Sequence, residues 1–231
     1  MDAVRPGMAL RLCAVALAAA FVFPGLIPAQ PAGAFSWTRT ATGGFGAAGN
    51  TTVSALAHYG QSIYAGTYNA GGCQVWSYAG LSWAQETGQG AAGTPTGPGF
   101  GDAGNNNVSS MAVFDSRLYL GTRNPERGCQ VWSYDGTAWT QEVGRGDAGT
   151  PTAPGFGDAG NTDVSSMAVM GGSLYAGTYN SAGCQVWCRD GNTWKRVAEG
   201  GFGDADNCGA ASMAVYFQGL YVGTFNDDYA C

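Results

Sequence analysis

The sequence predicts an all-β fold of repeated four-stranded antiparallel blades, and three observations carry that expectation. The first is a phrase that recurs four times. It reads VSALAHYGQSIYAGTYNAGGCQVWSYAGLSWAQE from Val53, VSSMAVFDSRLYLGTRNPERGCQVWSYDGTAWTQE from Val108 and VSSMAVMGGSLYAGTYNSAGCQVWCRDGNTWKRV from Val164. A shorter copy, ASMAVYFQGLYVGTFNDDYAC, runs from Ala211 to Cys231. A glycine-rich lead-in places Phe45, Phe100, Phe156 and Phe202 in register, at spacings of 55, 56 and 46 residues. A period near 50 residues marks an array, a solenoid or a propeller. The second observation is composition: 39 glycines and only 11% charged residues beside 45% hydrophobic and 12% aromatic ones. That is too apolar for a disordered chain, and glycine spread through short segments suits tight turns between strands. The third is the lack of any helical apolar period after about Ala34.

The N-terminus stands apart. Arg5 and Arg11 lead into an apolar run from Leu12 to Ile27, followed by Ala32, Gly33 and Ala34. This pattern predicts a secretory signal peptide over 1–34, cut after Ala34, with Ala29 as the alternative site. Pro24 and Gly25 interrupt the run and argue against an uncleaved anchor. The expected product is an extracytoplasmic propeller domain over 35–231, with no membrane attachment after cleavage. Its net charge is negative, as it is for the full chain at −6. An acidic surface disfavours nucleic acid and anionic membranes and leaves proteins, neutral glycans and cations as partners.

Each repeat holds four strand-like runs, clearest in the third copy at 165–169, 173–178, 184–188 and 193–197. Asp190-Gly191, like Asp135-Gly136, is a strong hairpin signal, because both residues tolerate positive φ. Four antiparallel strands per period describe a propeller blade. The repeats are bounded near 44–98, 99–154 and 155–200, with a partial copy at 201–231. Phe35–Arg39 match Leu81–Gln85, the fourth strand of a blade, so residues 35–41 are expected to serve as an outer strand in ring closure. The last copy stops at Cys231, where the others continue into Gln-Val-Trp. Two readings follow: a longer chain with further blades, or a near-complete four-bladed ring with a gap. A blade without its third strand leaves backbone groups unpaired, which favours the longer chain.

The LYAGTYN and CQVWSYDGTAWTQE segments resemble a kelch-type repeat over most of each copy from Val53 onward. Kelch repeats carry a Gly-Gly pair where this chain has Gly66-Thr67, Gly121-Thr122, Gly177-Thr178 and Gly223-Thr224. The resemblance implies kelch-like propeller architecture and no particular function, since propellers host enzymes, lectins and scaffolds alike. Ser133, Asp135 and Trp139 echo the Asp-box turn of sialidase-like propellers, one residue short in the Asp-to-Trp spacing.

Cys73, Cys129, Cys184 and Cys231 share one repeat position and read as small buried packing residues. Cys188 and Cys208 break the repeat, which suggests a mutual disulfide. Metal binding by cysteine lacks any Cys-x-x-Cys pair, and His58 is the only histidine. It stands where other copies have Val113, Val169 and Val215, which favours a packed histidine over a catalytic one.

The long loops follow the second strand and join successive repeats, and in a propeller both emerge on one face. That face is the expected binding surface. Its repeated side chains are Tyr68, Arg123, Tyr179 and Phe225, each followed by an amide: Asn69, Asn124, Asn180 and Asn226. A planar group beside an amide suits sugar stacking with hydroxyl hydrogen bonds; strand-ending turns explain the asparagines more cheaply. The lead-in loops offer Asp102, Asn105 and Asn107, then Asp158, Asn161 and Asp163, then Asp204, Asp206 and Asn207. Such oxygen spacing suits Ca²⁺, with Asx turns as the competing reading. Arg145-Gly146-Asp147 is not maintained by the repeat, and Asn50 and Asn107 open glycosylation sequons.

No nucleophile triad or metal cluster appears, so no catalytic residue is assigned and the chain is expected to be non-enzymatic. The leading expectation is a secreted binding or scaffold module that engages a protein or glycan through the loop-bearing face. The alternatives are a carbohydrate-active enzyme on the same scaffold and a structural piece of a larger extracellular protein.

Overall fold

The computed structural model describes residue 36 and residues 38–226. The expected signal peptide over 1–34 and Cys231 lie outside the described residues. Contacts divide the chain into a unit of residues 1–39 and a unit of residues 40–231; the description below concerns the second.

The first repeat forms β1 (Thr52–Tyr59), β2 (Ser62–Tyr68), β3 (Val75–Tyr78) and β4 (Trp83–Gln85). The second forms β5 (Asn107–Phe114), β6 (Arg117–Arg123), β7 (Val131–Tyr134) and β8 (Trp139–Val143). The third forms β9 (Asp163–Met170), β10 (Ser173–Tyr179), β11 (Val186–Asp190) and β12 (Thr193–Ala198). Two strands follow, β13 (Asn207–Tyr216) and β14 (Gly219–Asn226). All pairing is antiparallel, first to second to third to fourth strand within each repeat.

Single residue pairs stitch the repeats together: Tyr68 with Asn107, Arg123 with Asp163, and Tyr179 with Gly209. The sheet is open, not a closed ring: β4 and β12 end the pairing path, and β14 pairs with β13. The outer strand expected over 35–41 does not form among its described residues. No third strand of the fourth copy is described for it to pair with.

The first two strands of every repeat appear where the pattern places them. The third strand starts later than expected, at Val186 and not at Cys184. The reason is a competing partner. The Cys184 N–H donates to Asn207 O at 2.8 Å, and its carbonyl accepts from Gly201 N at 3.1 Å. Cys73 and Cys129 dock in the same way on Asn105 and Gly99, and on Asn161 and Gly155. The repeated cysteine is therefore the contact point with the next lead-in, and Cys73, Cys129 and Cys184 are fully buried.

The lead-in itself is a left-handed turn. Phe45, Phe100, Phe156 and Phe202 hold φ between 57° and 63°, a region that disfavours side chains. Stacking offsets the strain. Phe100 lies 4.9 Å from Trp132 and nearly parallel to it, and meets Trp139 edge-on at 5.2 Å. The other two complete repeats copy this trio with Phe45, Trp76 and Trp83, and with Phe156, Trp187 and Trp194.

Adjacent repeats also interlock through the Gly-Thr pair. A Cβ on Gly121 would stand 2.3 Å from the Val164 Cβ, so only glycine admits the neighbouring valine. Ser110 Oγ and Ser166 Oγ then donate to the Val164 and Ala210 carbonyls, each at 2.6 Å. Burial concentrates in two apolar clusters, one around Val75, Val108 and Leu120 and one around Val131, Val164 and Leu174.

Candidate functional site

A buried polar cassette lies under the ends of the second strands. In the second repeat its hub is Asn105, which is fully buried. Its Nδ2 donates to Gly99 O at 2.8 Å and to Gln130 Oε1 at 2.9 Å. Its Oδ1 accepts from Thr122 Oγ1 at 3.2 Å and from Asn124 Nδ2 at 3.1 Å. Gln130 Oε1 also accepts from Trp132 Nε1 at 3.0 Å. Asn124 Nδ2 reaches Asp102 Oδ2 at 3.1 Å, while its Oδ1 accepts from the Glu126 and Arg127 amides. The third repeat repeats the cassette with Asn161, Thr178, Asn180, Gln185 and Asp158. The first uses Asn50, Thr67, Asn69 and Gln74. The fourth uses Asn207, Thr224, Asn226 and Asp204. Buried amides need partners, and here nearly every donor and acceptor has one.

This assigns the asparagines. Asn69, Asn124, Asn180 and Asn226 turn inward to the cassette, and they are not paired with the planar side chains that precede them. Those planar groups stay outside: Tyr68, Arg123 and Tyr179 are half-buried and Phe225 is exposed. The same wiring engages five of the proposed calcium ligands: Asp102, Asn105, Asp158, Asn161 and Asp204. Both lone pairs of the Asn105 and Asn161 amide oxygens are engaged. Asp102, Asp158 and Asp204 each cap a turn through Oδ1 and take an amide on Oδ2. Asp206 sits in the last of these turns. Among the described residues, no group of three or more His, Cys, Asp or Glu side chains is placed to hold a metal ion.

A second polar feature crosses the repeats where the first strands begin. Ser54 Oγ donates to Asn107 Oδ1 at 2.7 Å, and Asn107 Nδ2 donates to Ser109 Oγ at 3.0 Å. Ser109 hydrogen-bonds in turn to Asp163, which faces Arg123 across the β6–β9 pair. Asp163 Oδ1 is buried with no hydrogen-bond partner. Burial pushes its carboxyl up to about 6, against the lowering effects of Ser109 and Arg123. The sequence reading placed Asp163 in a calcium loop and missed Ser54 and Ser109. A signal was available: this register position reads Thr52, Asn107, Asp163 and Gly209, so it changes in every copy.

Two further expectations change. Cys188 and Cys208 do not form a disulfide. Cys188 sits opposite Tyr175, whereas Gly209, next to Cys208, sits opposite Tyr179. Four residues along a strand is about 13 Å, against a Cα separation of at most about 7 Å for a disulfide. Cys208 Sγ instead lies 3.6 Å from the Phe225 carbonyl. His58 is exposed, as are Val113, Val169 and Val215, so this is an outward-facing position and not a core one. Asp135 forms a tight Asx turn, accepting from Thr137 N, Thr137 Oγ1 and Ala138 N. Those hydrogen bonds hold its carboxyl down to about 2 and account for the Asp-box echo.

No helix among the described residues is long and apolar enough to cross a membrane. No protein-family model and no curated protein matches the chain. Among solved structures, it is similar to the extracellular domain of a one-component system from B. thetaiotaomicron, at 17% identity and a TM-score of 0.46. That match covers 76% of this chain and 20% of the other, so the chain spans about a fifth of its neighbour. A second similarity is to GH43B of the Bacteroides ovatus xyloglucan PUL, at 15% identity and a TM-score of 0.38. It covers 63% of this chain and 30% of that one.

Proposed function

We propose that this chain is a secreted, kelch-like propeller module that binds a protein or glycan through the loops at the ends of its second strands. The observation that carries this reading is the division of labour at that face. Tyr68, Arg123, Tyr179 and Phe225 occupy one register position in four copies and remain accessible, each held by a strand whose next residue is anchored in the cassette. Planar groups on a rigid base suit recognition, because little conformational entropy is lost on binding. Equivalent positions in successive repeats add avidity toward a repeating ligand. Signal-peptide cleavage after Ala34 belongs to the same reading.

A glycan array and a panel of extracellular proteins test it, with the native chain and a Tyr68→Ala/Arg123→Ala variant. The expected outcome is a ligand captured by the native chain and lost by the variant at unchanged melting temperature. Equal capture by both would remove this face from the function.

Asp163 supports a second reading, a carbohydrate-active enzyme. A carboxyl poised near neutrality is suited to general acid catalysis. Turnover of an aryl glycoside that disappears in Asp163→Asn would establish it, and no turnover by the native chain would dismiss it.

A further inference from the structure

Each junction between repeats is closed by the same lock. Its first half is a knob near the start of the first strand. Val108, Val164 and Ala210 are fully buried. They enter notches at Gly66, Gly121 and Gly177, where an added Cβ would stand 2.5, 2.3 and 2.7 Å from their own Cβ atoms. The second half is the notch and its rim. Gly121 pairs across the strands with Ser110, and Gly177 with Ser166. These serines donate to the carbonyls of the knobs they face, Val164 and Ala210. A tyrosine two residues before the glycine meets the next repeat: Tyr64 packs on Tyr134, and Tyr119 lies under the Arg189 guanidinium.

Among the described residues, one half of this lock stands unused on each side of the array. The first repeat offers a knob without a notch. Val53 is 44% exposed where Val108 and Val164 are sealed, and Leu56, which matches Met111, is 62% exposed. The fourth copy offers a notch without a knob. Gly223 pairs with Ser212, and a Cβ placed on it would meet only Ser212. Tyr221, on its rim, is 59% exposed where Tyr119 is buried. Large apolar side chains exposed together mark an interaction surface. None of these five residues is charged, so the two faces carry no repulsion of their own. They belong to β1, β13 and β14, and in the open sheet β1 pairs with β2 while β13 and β14 pair with each other and with β10.

We infer that the face formed by Gly223, Ser212 and Tyr221 docks Val53 and Leu56 of a second copy of this chain. The contact continues an interface that the chain already makes between its own repeats. Val53 enters the Gly223 notch, and Ser212 Oγ donates to the Val53 carbonyl as Ser166 Oγ does to that of Ala210. A second copy is the occupant because the knob that fits the notch is exposed on this same chain. Contact between two different faces is heterologous, so it closes into a ring or runs on as a filament. The inference does not depend on which ligand the second-strand ends bind. Assembly would set those ends in one longer row and add avidity.

Light scattering coupled to size exclusion tests it, with the native chain and the variants Val53→Asp and Tyr221→Asp. Both substitutions fall on exposed side chains, so each variant is expected to keep the native melting temperature. The native chain is expected to reach at least twice the monomer mass as concentration rises. Each variant alone is expected to stay monomeric, because every molecule in the sample lacks the same half of the contact. An equimolar mixture of the two is expected to form a dimer and nothing larger, since one intact knob then meets one intact notch. A native chain that is monomeric at every concentration would overturn the inference. So would assembly that survives either variant, which would point to pairing of like faces or of strand edges. A mixture that stays monomeric would overturn it as well.

Discussion

The polar cassette and the serine–asparagine–aspartate string are both hydrogen-bonded, and they differ in one respect. The cassette recurs in every copy and satisfies its polar groups; the string occurs once and ends on Asp163, which keeps an unpaired buried oxygen. Repetition marks what holds the fold, because each copy must solve the same problem of a buried strand end. Departure from the repeat marks where the fold gives up stability, and such positions are candidates for function.

The sharpest way to break this comparison is at the hub. Asn105→Ala removes four hydrogen bonds and leaves one Asn124 Nδ2 hydrogen without its acceptor in a buried site, while Gln130 Oε1 keeps Trp132 and Gln141 and Thr122 Oγ1 keeps the Gln130 carbonyl. The expected loss is about 3 kcal/mol or more, seen as a fall in melting temperature of roughly 6–12 °C.

Asp163 is expected to respond in the opposite direction. Its folded-state pKa is raised to about 6, so the folded chain holds the proton more tightly than the unfolded chain. Stability contributed by the protonated form is present below about pH 4 and is lost as pH rises toward 6. Asp163→Asn removes that slope and is expected to gain on the order of 2 kcal/mol at pH 7.5 and little at pH 4. Asn107 already occupies the equivalent place in the second repeat. Denaturant unfolding of both proteins at the two pH values measures the difference.

A smaller effect separates the copies of the cassette. Asn207 is half-buried and lacks a glutamine partner among the described residues. Asn207→Ala is therefore expected to cost about 1 kcal/mol, well below Asn105→Ala. The smallest effect concerns calcium. With the carboxamide oxygens engaged, millimolar Ca²⁺ is expected to leave the melting temperature unchanged. A rise of several degrees, abolished by Asp158→Asn, would show that the lead-in loops bind the ion.

Much of this architecture was legible in the residues. The period, the Asp-Gly turns and the alternating apolar runs located the strands, because those signals are local. What depended on contacts between copies was not legible. Cys184 looks like the first residue of a strand until Asn207 of the next copy takes its N–H. Phe100 gives no sign of its left-handed backbone, which Trp132 and Trp139 stabilise from other strands. Cys188 and Cys208 are conspicuous as departures from the repeat, yet departure says nothing about distance. Among the candidate site residues, the planar side chains lie at the expected strand ends, while their asparagines turn into the cassette.

Asn124 decides between these roles most directly, since it was first a candidate ligand contact and is here a fully buried member of the cassette. Thermal unfolding of Asn124→Ala, with ligand capture measured below its melting temperature, is the measurement. The account predicts a melting temperature lower by several degrees with capture retained. An unchanged melting temperature with capture abolished would contradict it.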